Sequence, residues 1–191
     1  KYKQKIETDQ NWPEANFDPT EPIIKLLKRY NLEFDIANSK NINDEKVIQL
    51  IKKCEPRVII YSGYGGAILR DKILSIDKDF LHIHGGYLPK YKGSTTNYYS
   101  LLKDNSIGAS AIFLTKELDR GPIFCRYKTK INIKRNKLDH IYDSAIRSRV
   151  LIDTLKYFKN NYPNYDYLEN MEGETYYIIH PVLKHIAILA D

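Results

Sequence analysis

The chain has 191 residues, of which 42% are hydrophobic, and a formal net charge of +6 at pH 7. This length suits a single domain that buries its own core, and no apolar run approaches the ~20 residues that a membrane-spanning helix requires. We therefore expect one domain over residues 1–191. The basic residues are scattered among 24 acidic ones, so we expect neither a membrane nor a nucleic acid as partner.

The cysteines and the first residues indicate a compartment. Cys54 and Cys125 lie far apart in apolar or strand-like contexts, which is typical of reduced, buried thiols. The chain shows no charged and then apolar leader, so a cytoplasmic protein is expected. Because it begins at Lys1 rather than Met, we also expect residues to be missing upstream.

The first half of the chain alternates between helical and strand-like patterns after a polar segment, residues 1–19, that predicts irregular structure. Apolar residues at helical spacing predict a helix that ends at Asn31 and a second helix that begins at Asn43. A third, short helical piece is predicted over Asp71 to Leu74. The predicted strands are Leu32 to Ala37, Val58 to Tyr61 and Phe80 to His84.

The second half continues with a helix over Asn97 to Leu102 and two strands that the Glu117 to Gly121 turn pairs in antiparallel fashion. These strands are Ile107 to Thr115 and Ile123 to Ile131. One long amphipathic helix is predicted over Asn136 to Phe158, and the apolar tail is expected to pack on the domain. The alternation predicts an α/β domain whose parallel strands place ligands beyond their carboxyl ends.

A glycine-rich segment, SGYGGAIL, follows the strand that ends at Tyr61. Its glycines, Gly63, Gly65 and Gly66, precede a helical piece, so a phosphate cradle is conceivable. The segment lacks the lysine of a Walker loop and the spacing of the dinucleotide fingerprint. A tight turn that lets backbone approach a ligand explains the same glycines.

Two histidines, His82 and His84, end the next strand, FLHIH. Residues two apart on a strand point to one face, so both imidazoles should project together with Ile83 behind them. Three interpretations remain open on pattern alone: a metal site with Asp119 as a third ligand, a buried and hydrogen-bonded pair, or acyl-type chemistry in which an imidazole polarises a carbonyl.

Asp119 lies in the turn KELDRGPI, after a strand that the topology places beside the one ending at His84. An ordinary turn aspartate is the simpler interpretation. A buried Asp next to a His instead raises the pKa of that His and favours a cation that stabilises an oxyanion. This is the chemistry that formyl transfer to an amine requires.

Two segments, HIHGGYLPKYKGSTTNYYSLL and IGASAIFLTKELDRGPI, closely resemble the core of the formyltransferases that use 10-formyltetrahydrofolate. That family shows an Asn two residues before an invariant His, a Leu-Pro turn, a basic residue followed by Gly, and an Asp-x-Gly-Pro-Ile turn. The resemblance runs from about Val58 to Ile131, and it implies that the first strand of the domain, normally upstream, is missing before Lys1. It implies a Rossmann-like three-layer α/β sandwich with a mostly parallel sheet, and 10-formyltetrahydrofolate as formyl donor.

The resemblance also implies roles for individual residues. His84 matches the catalytic histidine and Asp119 the carboxylate that keeps it charged and assists proton removal; no metal is implied. The residues implied for folate binding are Tyr64, Gly65, Gly66, Ile68, Leu69 and Leu118. Those implied for the amine substrate are Tyr87, Pro89, Lys92 and Gly93.

His82 departs from the family pattern, because it stands where the family has its catalytic Asn. An Asn amide donates to an oxyanion at every pH, whereas a His donates only from the tautomer or cation that points an N–H inward. We therefore expect His82 to be catalytic but to make activity weaker, more pH-dependent or absent.

The acceptor amine is predicted from the GGYLP turn and the tail YYIIHPVLK, which look more like the branch that formylates nucleotide-linked amino sugars for bacterial surface polysaccharide such as O-antigen. Relatives that act on initiator methionyl-tRNA carry an additional C-terminal RNA-contacting domain, which we do not expect here. Alternatives are a glycinamide ribonucleotide-type formyltransferase, a metal-dependent hydrolase using His82, His84 and Asp119, or a non-catalytic folate or nucleotide-sugar binding module. A homodimer is conceivable.

Overall fold

The computed structural model describes residues 21–130, 134–161 and 163–190. The irregular structure predicted for residues 1–19 lies outside this part of the chain. The α-helices are α1 (Ile23–Arg29), α2 (Glu45–Lys53), α3 (Asp71–Leu74), α4 (Thr96–Asp104), α5 (Asp143–Asn161) and α6 (Pro181–Leu189). The strands are β1 (Val58–Tyr61), β2 (Asp79–His84), β3 (Tyr91–Gly93), β4 (Ser106–Phe113), β5 (Ile123–Lys130) and β6 (Glu174–Tyr176).

The main sheet has the strand order β1-β2-β4-β5 and helices packed on it. β1 pairs with β2 in parallel, whereas β4 pairs antiparallel with both β2 and β5. The α/β class is thus confirmed and so is the β4–β5 hairpin. The expected mostly parallel sheet is, in the described residues, a mixed one, because β4 returns through the short α4 connection as an antiparallel neighbour of β2.

β2 is buried on both faces, which explains its nearly continuous apolar run. Leu81 and Ile83 pack into the larger core against Ile146 and Val150 of α5. Phe80 faces the opposite side and packs with Ile48 of α2. His82 and His84 continue the face of Phe80, because side chains alternate along a strand.

Residues 32–37 do not form the predicted strand. Their alternating apolar side chains stay exposed, with Leu32 at 54%, Phe34 at 39% and Ile36 at 74%. Alternation marks a segment that is able to pair, but a strand also needs a neighbour, and no described strand is hydrogen-bonded to this segment.

The single long helix predicted over Asn136–Phe158 is also wrong at its start. Arg135–Lys137 form a 3₁₀ turn and Leu138–Tyr142 a π-helical turn before α5 begins. Leu138, Ile141 and Tyr142 still face the core. The apolar stripe therefore identifies the buried face, but it does not distinguish α from π hydrogen bonding, since both keep that face inward.

Both cysteines are free, but Cys54 is exposed and Cys125 half-buried, so the prediction of buried thiols is wrong for Cys54. The tail packs on the domain as predicted, through Ile179 and Ala187. Over the described ranges, no helix has both the length and the apolar character needed to cross a bilayer.

Candidate active site

His84 ends β2 and is buried, with 4% of its surface exposed. Its Nε2 lies 2.8 Å from the carbonyl oxygen of Tyr91, and its Nδ1 lies 3.5 Å from Oδ1 of Asp119. A carbonyl oxygen only accepts hydrogen bonds, so Nε2 carries the hydrogen in this arrangement. The ring is therefore held with Nδ1 directed at a carboxylate.

Asp119 lies in the turn between β4 and β5 and is also buried, at 6% exposure. Its backbone adopts a left-handed conformation with φ +52°, which is uncommon for a residue other than glycine. The backbone N–H of Gly93 donates to its Oδ2 over 2.7 Å. The structure thus brings together His84, Asp119 and Gly93, which are distant in the sequence.

Burial lowers the pKa of the His84 imidazole, and the Asp119 carboxylate opposes this shift only in part. Burial thus favours the neutral imidazole, whereas Asp119 favours the cation, and the role of Asp119 in keeping His84 charged stays a prediction. When it gains a proton, however, each ring N–H has an acceptor, the Tyr91 carbonyl and the Asp119 carboxylate. The pair is arranged to take up a proton.

His82 is half-buried on the same face, as the strand period predicts. Its Nδ1 lies 3.2 Å from the carbonyl oxygen of Tyr61, its neighbour in β1. Nδ1 must donate to that carbonyl, so neutral His82 presents an unprotonated Nε2. Burial lowers the pKa of His82, which favours this neutral form.

The turn after His84 is shaped by close packing. A Cβ on Gly86 would lie 2.7 Å from Nε2 of His84 and equally close to the Tyr91 carbonyl oxygen. The Leu88–Pro89 peptide bond is cis, and the Leu88 carbonyl accepts from Arg126 over 2.6 Å. The Arg126 guanidinium lies over the Tyr87 ring, 4.5 Å from its centroid.

Lys92, predicted to bind substrate, points into the protein. It is 1% exposed, and its Nζ donates to the carbonyl oxygens of Asn170 and Met171 over 3.1 and 3.4 Å. Its neighbour Gly93 has φ +95°, and a Cβ there would lie 2.0 Å from the Tyr176 carbonyl oxygen. In this structure Lys92 anchors residues 170 and 171 to β3, beside the site.

The segment predicted to bind folate forms the loop between β1 and α3. Tyr64 is 94% exposed, Ile68 58% and Leu118, from the Asp119 turn, 56%. A Cβ on Gly65 or Gly66 would meet nothing within 4 Å. Leu69 is instead buried in the core at 5% exposure and anchors the loop.

This loop is fixed at its carboxyl end by side chains outside the predicted set. The Asn43 amide donates to the Ile68 carbonyl over 2.9 Å and accepts from the Arg70 N–H over 2.8 Å. The Tyr61 hydroxyl donates to the Ala67 carbonyl over 2.6 Å. Exposed aromatic and aliphatic side chains beside an open, anchored backbone fit a flat heteroaromatic ring such as a pterin.

Two residues near the site escaped sequence reasoning. Arg147 of α5 donates to the Ile83 carbonyl over 2.6 Å, between the two histidines. The Asn170 amide donates to the carbonyl oxygens of Asp119 and Gly121 over 2.7 and 2.9 Å. In the sequence Arg147 resembles any helix-surface residue and Asn170 any loop residue, so neither carries a signal without the tertiary fold.

The metal-site interpretation finds no geometric basis. Among the residues that the structure describes, no group of three or more His, Cys, Asp or Glu side chains is placed to hold a metal ion. Nε2 of His84 already faces a protein acceptor, the Tyr91 carbonyl.

Comparison with known proteins places this geometry in a family. The formyl transferase family model matches residues 8–149. The chain is 31% identical to the methionyl-tRNA formyltransferase of Finegoldia magna over 144 residues, which are 72% of this chain and 46% of that protein. The chain thus spans about half the length of that relative. It belongs to the formyl transferase family.

Solved structures of low sequence identity share the fold. A likely sugar N-formyltransferase from Mycobacterium tuberculosis superimposes with a TM-score of 0.56 at 12% identity, covering 81% of this chain and 68% of that one. HypX from Aquifex aeolicus in complex with tetrahydrofolic acid gives 0.51 at 15% identity, covering 71% of this chain and 24% of that one. The Rossmann-like formyltransferase fold expected from the sequence is confirmed.

Proposed function

We propose that this protein is an N-formyltransferase that moves a formyl group from 10-formyltetrahydrofolate to a primary amine. The observation that carries the proposal is the buried His84–Asp119 pair, with Nδ1 and Oδ1 3.5 Å apart, at the position of the catalytic pair in the family motif. The bound folate would supply the formyl group. The loop containing Tyr64, Ile68 and the open backbone of Gly65 and Gly66 would hold it.

The amine must lose one proton as its nitrogen forms a bond to the formyl carbon, while the bond from that carbon to the folate nitrogen breaks and the folate nitrogen gains a proton. Neutral His84 is suited to accept the proton from the amine, since its Nδ1 is unprotonated and the resulting cation lies beside Asp119. Asp119 thus serves proton removal, as the family motif implies.

Negative charge develops on the formyl oxygen during this reaction and needs a hydrogen-bond donor. His82 supplies one from Nε2 only when protonated, because its Nδ1 binds Tyr61. The oxyanion role expected of His84 requires its Nε2–H to leave the Tyr91 carbonyl when substrates bind. Catalysis at neutral pH is therefore slower than with an Asn at position 82.

For the acceptor we propose a nucleotide-linked amino sugar, supported by the GGYLP turn, by the tail and by the sugar N-formyltransferase name that the mycobacterial neighbour carries. Basic side chains around Tyr87, namely Arg126 and Lys128, suit an anionic nucleotide. Initiator methionyl-tRNA is the second candidate, because the Finegoldia relative is a methionyl-tRNA formyltransferase by name. A role in O-antigen synthesis, a homodimer and a cytoplasmic location stay predictions.

The test is turnover. The protein is incubated with 10-formyltetrahydrofolate and, in separate reactions, nucleotide-linked amino sugars, glycinamide ribonucleotide and methionyl-tRNA, while tetrahydrofolate release and formylated product are measured. Formylation of an amino sugar alone supports the proposal, and formylation of methionyl-tRNA alone replaces its acceptor. Folate binding without turnover on any amine identifies a binding module, and the absence of both overturns the proposal.

A further inference from the structure

The chain that follows α5 returns to the site through residues 168–176, a segment we call the latch. It begins where Leu168 and Ile123 exchange two backbone hydrogen bonds of 2.8 and 3.1 Å. It ends as β6, which pairs in parallel with β3. The latch therefore joins the first residue of β5, just after the Asp119 turn, to the strand that contains Lys92 and Gly93.

Asn170 is the centre of the latch. It is 2% exposed, and its Nδ2 donates both hydrogens to the carbonyl oxygens of the Asp119 turn, at 2.7 Å to Asp119 and 2.9 Å to Gly121. These bonds fix the backbone of Asp119 in its left-handed conformation, while Gly93 fixes its carboxylate. A residue with φ +52° needs such contacts to persist.

Asn170 is itself held in place. The backbone carbonyl oxygens of Asn170 and Met171 accept hydrogen bonds from the buried Nζ of Lys92. Three residues further on, Gly173 has φ +119°, and a Cβ there would lie 1.6 Å from the Pro89 carbonyl oxygen. The latch thus contacts both turns of the site, and only glycine fits at that approach.

We propose that Asn170 is a positioning residue for catalysis, which sets the place of Asp119 relative to His84 through the backbone of the Asp119 turn. This rests on the proposed function for its kinetic consequence. Asn170 lies beyond residues 8–149 that the family model matches, so the matched region by itself does not contain the whole support of the catalytic pair.

Asn170→Leu keeps the approximate shape of the side chain but removes both N–H donors. With Asp119 displaced, kcat/KM is expected to fall about 10- to 100-fold, as for a catalytic group moved by about 1 Å. Asn161→Leu is the control, since that exposed amide donates to the Tyr157 carbonyl of its own helix. Gly173→Ala displaces the latch without altering Asn170.

The decisive measurement needs no turnover. His84 is faced by Asp119, Asp143, Arg147 and His82, and Asp119 raises its pKa. An NMR titration should therefore show a lower pKa for His84 in Asn170→Leu than in the wild type, with a smaller decrease in Gly173→Ala and none in Asn161→Leu. A wild-type His84 titration in a folded Asn170→Leu protein overturns the positioning role.

If Asn170→Leu does not fold, Gly173→Ala carries the same test, and an unmoved His84 titration in that folded variant also overturns the proposal. The two proposals fail separately. If the wild type formylates no amine but Asn170→Leu shifts the His84 titration, the positioning role of Asn170 is supported and the proposed function is refuted. If a folded Asn170→Leu protein turns over at the wild-type rate, only the positioning role is refuted.

Discussion

His82 stands where the resemblance implies a catalytic Asn, and the structure shows what the histidine does at that position. Its Nδ1 hydrogen bonds to the Tyr61 carbonyl over 3.2 Å, which leaves neutral His82 with an acceptor at Nε2. The sequence predicts the position of His82 but not its tautomer, because the tautomer depends on a carbonyl 21 residues away.

His82→Asn should therefore increase kcat at pH 7.5 by about tenfold, since one oxyanion donor is worth about 10²–10³ in rate and His82 supplies it only as a cation. Because the pKa of His82 is lowered, the protonated fraction in the wild type grows only as the pH falls below the ordinary value of 6.5. Rates measured from pH 5 to 9 should show the gain shrinking toward low pH.

His185→Asn, at an exposed position on α6, is the control and should leave the rate unchanged. A lower rate for His82→Asn at pH 7.5 would show that His82 acts as a base and not as an impaired donor.

Asp119→Asn tests the other half of the catalytic pair. An amide keeps an oxygen for the Gly93 N–H but cannot stabilise the His84 cation, so kcat/KM should fall about 10²–10⁴-fold. Glu117→Gln, an exposed carboxylate in the same turn, should retain wild-type activity. Single-turnover kinetics measure the effect, and a loss under threefold for Asp119→Asn would remove this carboxylate from the mechanism.

At the scale of elements, the strands that pair in the main sheet were predictable and the unpaired segment was not. β1 matches its predicted range, and β2, β4 and β5 shift by one or two residues. Residues 32–37 show the opposite case: their alternation is that of a strand, but pairing depends on a neighbour that the local sequence does not specify.

The turn from Gly85 to Pro89 depends on the absence of a side chain at Gly86. Gly86→Ala would place a Cβ 2.7 Å from His84, Thr96 and Tyr91 atoms, so the free energy of unfolding should fall by about 1–3 kcal/mol and activity should be lost. Gly65→Ala, where a Cβ meets nothing within 4 Å, should change that free energy by less than about 0.5 kcal/mol. Urea unfolding compares the two, and equal stabilities would contradict the packing described for Gly86.

For the whole molecule, the family motif predicts the catalytic pair but not its support. His84 and Asp119 stand in short motifs, and their pairing was predicted from the resemblance to the family, since pattern alone left three interpretations open. Lys92 was expected at the substrate and lies buried on the Asn170 and Met171 carbonyls. Lys92 differs from the prediction because it contacts Asn170, 78 residues further along the chain. Motif spacing carries no information about such a contact.

One ion-pair group joins three parts of the fold: Asp104 at the end of α4 accepts from Lys90 over 2.9 Å and from Lys128 of β5 over 2.8 Å. Both hydrogen bonds hold the pKa of Asp104 well below its ordinary value. A lowered pKa contributes stability above the unfolded value of about 3.9, and that stability is lost as the pH falls toward the folded value.

Asp104→Asn should accordingly lower the free energy of unfolding at pH 7 by about 1 kcal/mol, a modest value because solvent screens the partly exposed lysines. The difference between variant and wild type should shrink as the pH falls below about 4. Urea unfolding at pH 7 and pH 3 measures it, with exposed Asp77→Asn as control. A difference that grows on acidification would contradict the ion-pair account.

The latch also sets the order in which the site is completed during synthesis. Asn170 follows Asp119 by 51 residues, and a ribosome adding about 5–20 residues per second needs roughly 3–10 s to cover that distance. Until then the nascent chain contains both residues of the proposed catalytic pair, but the carbonyls of the Asp119 turn and the Nζ of Lys92 lack the partners that the structure gives them. The contacts that support the proposed catalytic pair therefore become available only after both of its residues have been made.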